Sequence, residues 1–64
     1  MEINGKIFLT RQEIAKAYGA QVSIMVYNKS KRYLSRVTHL NSSKHRVYLE
    51  DFVKIVANGD KWHD

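Results

Sequence analysis

Apolar positions along the chain change their period several times, and each change marks an element. Ile7, Phe8 and Leu9 form a short continuous apolar run just after Asn4-Gly5. Asn-Gly favours positive backbone angles, so a tight turn leading into a short strand is predicted. The spacing then becomes helical, with Ile14, Ala15 and Tyr18 on one face. Ahead of them, Thr10-Arg11-Gln12-Glu13 is a capping box. The threonine hydroxyl can accept from the Glu13 amide, and the glutamate can reach back to the Thr10 amide. Leu9 and Ile14 are placed for a hydrophobic staple, and Gly19 follows as a stop residue. A helix from Arg11 to about Tyr18 is predicted.

The next run, Gln21 to Tyr27, is rich in β-branched residues and would pass for a buried strand in isolation. It is assigned to a helix because a capped helix and a glycine turn set up a helical partner. Val22, Met25 and Val26 are then expected to face the first helix, and Ser23, Tyr27 and Lys31 to face the other way. The helix is expected to end near Lys31. Thr10 to Lys31 therefore reads as a helix-turn-helix, whose second helix suits a major groove.

Asn28 to Ser35 is polar and basic, with no strong period around Tyr33 and Leu34. Arg36 to Leu40 and His45 to Leu49 are β-prone and joined by Asn41-Ser42-Ser43-Lys44, which predicts a hairpin. Val47 and Leu49 should face the core, Arg46 and Tyr48 the outside. Lys44 near the tip is placed to touch a phosphate backbone. Glu50-Asp51 opens a last helix with a stripe of Phe52, Ile55 and Val56, and Asn58-Gly59 ends it. The tail from 58 to 64 is polar except for Trp62 and is expected to be flexible unless Trp62 packs back. Together these elements predict one α+β domain over residues 1–64, with a core of about 7–57.

Composition bounds the function classes. Sixty-four residues allow one domain, burying only about 60% of its unfolded surface. There is no cysteine, no apolar run long enough for a bilayer and no signal-peptide pattern, so a cytoplasmic protein is expected. The net charge of +5 matters less than its distribution. No acid lies between Ile14 and Leu49, while Lys16, Lys29, Lys31, Arg32, Arg36, Lys44 and Arg46 all do, with His39 and His45. A block of one sign in so small a domain is the footprint of a polyanion binder; the plain alternative is a solvated basic face. His39, His45 and His63 lack the paired spacing of a metal site. No serine sits in a nucleophile-elbow context, and no glycine-rich phosphate loop is present. The expectation is a non-enzyme with no metal and no cofactor.

One resemblance covers most of the chain. Leu9-Thr10-x-x-Glu13 opening the first helix, Lys16 and Tyr18 late in it, and Met25 as the second helix's core residue occur in a telling order. The Asn41 turn and Phe52-x-Lys54-Ile55-Val56 follow. In this order, over about Leu9 to Val56, the chain resembles the excisionase family. These are the recombination directionality factors of integrative phages and conjugative transposons, related in fold to the mercury-resistance type of regulator. Asn28 departs from the pattern, standing where a core apolar residue is expected.

The resemblance implies a small winged helix-turn-helix, with two helices, a β-hairpin wing and a short C-terminal helix. Helix 2 would lie in the major groove and the wing in the adjacent minor groove of double-stranded DNA. By position, Gln21, Ser23, Tyr27, Lys31 and Arg32 would belong to the recognition helix, and Lys44 and Arg46 to the wing. Lys16, Lys29 and Arg36 would meet the backbone. The implied role is a DNA-bending protein of a mobile element that directs an integrase toward excision, monomeric in solution and cooperative on DNA. Two alternatives stand beside it. One is a small phage transcriptional regulator of the same fold. The other is a phage protein that binds and inhibits a host protein, supported by the apolar character of Ile24, Val26 and Tyr27.

Overall fold

The computed structural model describes residues 1–39 and 46–63. Asn4 and Gly5 have φ of 52° and 79°, the pair of left-handed conformations a two-residue hairpin turn requires. They join β1 (Glu2–Ile3) to β2 (Lys6–Thr10), with Ile3 opposite Lys6 and Glu2 opposite Ile7. β2 buries Phe8 and leaves Ile7 exposed.

β2 runs into α1 (Arg11–Tyr18) without a loop, because its last residue is the helix cap. The Glu13 amide donates to Thr10 Oγ1 at 3.1 Å, and the Thr10 amide donates to Glu13 Oε1 at 2.9 Å. Both halves of the predicted capping box are thus formed. The Thr10 amide stabilises the ionised carboxylate and holds the Glu13 pKa below the usual glutamate value.

Gly19 alone separates α1 from α2 (Ala20–Ser30), at φ 104° and ψ 156°. That conformation is essentially restricted to glycine. The β-branched run is helical as expected, and α1 packs more extensively on α2 than any other pair of elements packs. The buried face of α2 differs from the expected one. Ser23, Val26 and Ser30 are buried, with Val22 and Tyr27 half-buried beside them, while Met25 is 37% exposed. Met25 is therefore not a core residue, and Ser23 does not face outward. A small hydroxyl side chain permits close approach of the two helices, and its polarity is satisfied across the interface. Ser23 Oγ donates to the Arg11 carbonyl at 3.2 Å, and Ser30 Oγ donates to the Tyr27 carbonyl at 2.8 Å.

Where a strand is expected from Arg36, its first two residues close a single helical turn, α3 (Leu34–Val37). The Val37 amide donates to the Tyr33 carbonyl at 3.0 Å, and the Thr38 hydroxyl donates to the Leu34 carbonyl. Local backbone and side-chain bonds close the turn before the β-prone residues can extend. Pairing survives at Thr38, which bridges Tyr48 in antiparallel sense, and at the His39 amide, 3.4 Å from the Val47 carbonyl. The predicted turn Asn41–Lys44, with Leu40 and His45 of the expected flanking strands, lies outside the described residues.

β3 (Val47–Leu49) pairs with β2, setting Phe8 against Leu49, Leu9 against Tyr48 and Thr10 against Val47. The expected alternation fails here: Tyr48 is fully buried together with Val47 and Leu49. Both faces of this strand are covered, and Thr38 lies along its other edge. α4 (Glu50–Ala57) follows directly, burying Phe52, Val53 and Val56, with Ile55 half-buried. Val53 joins the predicted stripe because α4 contacts β2, β3 and α2. Glu50 and Lys54 pair at 3.2 Å one turn apart. The helix closes in a Schellman motif, with Gly59 donating to the Val56 carbonyl and Asp60 to the Ile55 carbonyl, each at 3.0 Å. Trp62 packs back, its ring edge-on to Phe52 at 5.5 Å.

The result is an α+β domain. Among the described residues it has four helices, one more than expected, and a three-stranded antiparallel sheet in the order β1-β2-β3. One core is shared by both layers. No helix of the described residues is long and apolar enough to cross a membrane.

Candidate nucleic-acid interface

The basic block has a centre, and it is the ring of Tyr27. Arg11 Cζ and Lys31 Nζ each lie 4.8 Å from its centroid, and Arg46 Cζ lies 5.5 Å away. The three cations come from separate segments: the first residue of α1, the residue that ends α2, and the residue that leads into β3. Two features of the fold bring them together. The single-residue turn at Gly19 sets α1 against α2. The pairing of Thr10 with Val47 places the next residues outward, Arg11 and Arg46, at the same end of the sheet.

Each cation–ring contact contributes about 0.5–1 kcal/mol at an exposed site. Against this, the three charges lie within about 10 Å of one another, inside a Debye length at moderate salt, so they repel. Among the described residues none of them forms an ion pair. Arg46 is half-buried, and its Nε is fully enclosed with no hydrogen-bond partner among the described residues. Such an arrangement is suited to an oxyanion, which relieves the repulsion and accepts from the guanidinium groups.

The residues expected at a DNA interface are dispersed more widely. Tyr27 and Lys31 are in the cluster, with Tyr27 half-buried as the ring that seats the cations. Ser23 is buried beneath Arg11 and presents nothing outward. Gln21 is exposed on the first turn of α2. Arg32 is exposed but turns to a different ring, its Cζ 5.6 Å from the centroid of Tyr33. Arg46 lies in the cluster rather than projecting from a wing, and Lys44 is outside the described residues. Lys16, Lys29 and Arg36 are exposed on α1, α2 and α3. Arg11 was not expected. Its signal in the sequence is a cation at the start of a helix, where the dipole favours an acid.

No protein-family model matches the chain, and no curated protein or solved structure matches it.

Proposed function

We propose that the chain binds duplex DNA as a small winged helix-turn-helix domain. α1, Gly19 and α2 form the helix-turn-helix, and the approach of Thr38–His39 to Val47–Tyr48 forms the base of the wing. The observation that carries this reading is the gathering of Arg11, Lys31 and Arg46 around Tyr27, with no ion pair to an acid among the described residues. These cations contact phosphates and fix the register of the domain, leaving the exposed Gln21 of the recognition helix to reach base edges. The start of α2 supports the same reading, having neither a side-chain cap nor an acid in its first turn. Its positive end stays open to a phosphate. The resemblance to excisionases extends the proposal to bending DNA near an attachment site and steering an integrase toward excision. A transcriptional regulator would use the same contacts.

A second reading has its own observation. Ile24 and Met25 are adjacent on α2 and are 49% and 37% exposed, an apolar ridge suited to a host protein. Titration of a short labelled duplex decides between them. Three cation–phosphate contacts predict a loss of affinity of about forty-fold between roughly 50 and 200 mM salt. Energy transfer between dyes at the duplex ends should rise as the DNA bends. Absence of salt-sensitive duplex binding would overturn the DNA reading in favour of the protein-docking one.

A further inference from the structure

On the far shoulder of α2 from Tyr27, a groove of about 540 Å³ opens between the end of α2, α4 and the C-terminal tail. Lys29, which borders it, lies two residues from Tyr27 and so about 200° around the helix. Phe52 is the floor. Tyr33 stands edge-on to it at 6.3 Å and Trp62 at 5.5 Å, making two aromatic walls. Lys29, Arg32 and Lys61 line the same groove, and no carboxylate does among the described residues.

We propose that this groove binds a nucleotide unit, its base stacked on the Trp62 side and its phosphate held by Lys29, Arg32 and Lys61. The volume falls within the range of about 300–1,000 Å³ typical of small-ligand pockets. Aromatic walls beside a basic rim are the chemistry by which unpaired bases are held without sequence preference. An acidic peptide is the less suited occupant. None of the lining residues belongs to a strand, so an extended peptide finds no ladder to join. The site is separate from the Tyr27 cluster and does not depend on duplex binding there.

Trp62 is the only tryptophan in the chain, so its fluorescence reports occupancy directly. The protein is titrated with dTMP, with a short oligo-dT, and with an acidic peptide carrying one phenylalanine. Saturable quenching by dTMP alone assigns a free nucleotide; tighter, salt-sensitive quenching by oligo-dT assigns single-stranded nucleic acid. Lys61→Ala, an exposed position, should weaken either by roughly five- to ten-fold and leave duplex affinity unchanged. Arg11→Ala should do the reverse. The proposal is overturned if neither nucleotide ligand quenches Trp62, if Lys61→Ala binds them as the parent does, or if only the acidic peptide saturates the site.

Discussion

Replacing Gly19 by alanine probes the joint on which the domain turns. At φ 104° and ψ 156° the residue occupies a backbone region that costs a residue with a Cβ about 1–3 kcal/mol. An added Cβ would meet no atom within 4 Å, so the cost is backbone strain and not a clash. Alanine also narrows the unfolded ensemble, which offsets about 0.4–1 kcal/mol of the loss. The net destabilisation should be about 1–2 kcal/mol. In a domain of this size each kcal/mol moves the midpoint by about 4–8 °C, so a melt followed by circular dichroism should fall by roughly 5–15 °C. Gly5→Ala is the comparison: φ is 79° there, nearer the left-handed helical region, and space is again open. It should cost about 1 kcal/mol. If Gly19→Ala melts with the parent, or loses less than Gly5→Ala, the angle between α1 and α2 is not set by this turn.

Other expectations follow from single side chains. Phe52 is fully buried between Tyr33 and Trp62, so Phe52→Ala should cost about 3–5 kcal/mol, enough to abolish a cooperative melt in so small a domain; a parent-like transition would mean α4 is not docked. The Glu13 pKa is lowered in the folded state by the Thr10 amide, so the carboxylate's contribution is present above the ordinary glutamate pKa and is lost as pH falls through the lowered one. Glu13→Gln should therefore flatten the acid limb of stability against pH, and identical acid limbs would contradict the capping box. The Tyr48 hydroxyl is buried with no hydrogen-bond partner among the described residues. Tyr48→Phe should leave the melting midpoint unchanged or raise it, and a loss above about 1 kcal/mol would reveal a bond to that oxygen.

What could be read in the sequence was local. The Asn4-Gly5 turn, the Thr10–Glu13 box, the ends of α1 and the end of α4 each depend on residues within a few positions of one another, and all are present. The orientation of α2 could not be read this way. Val22, Ile24, Met25, Val26 and Tyr27 are apolar nearly all around the helix, so periodicity does not choose a face. The choice falls to how closely α1 approaches, which favours the small Ser23 over Met25. α3 was hidden because Val37 and Thr38 are β-prone, yet hydrogen bonds to Tyr33 and Leu34 close a helical turn first. The cation cluster is wholly tertiary. Arg11, Tyr27 and Arg46 meet only once Gly19 and the β2–β3 register are in place, and no spacing along the chain announces that.

Arg11, Lys31 and Arg46, seated around Tyr27, are proposed to hold DNA phosphates. This is tested most directly by the slope of log affinity against log salt for duplex binding. Arg11 and Lys31 are exposed, so the double variant Arg11→Ala/Lys31→Ala should fold as the parent does, which a matching melt verifies. Each lost phosphate contact removes about 0.9 from the slope, so the variant should be shallower by about two units. Affinity should fall by similar factors on preferred and scrambled duplexes, because phosphates carry no sequence. A slope equal to the parent's, with both affinities retained, would mean that these cations do not hold DNA and that the cluster is a solvated basic surface.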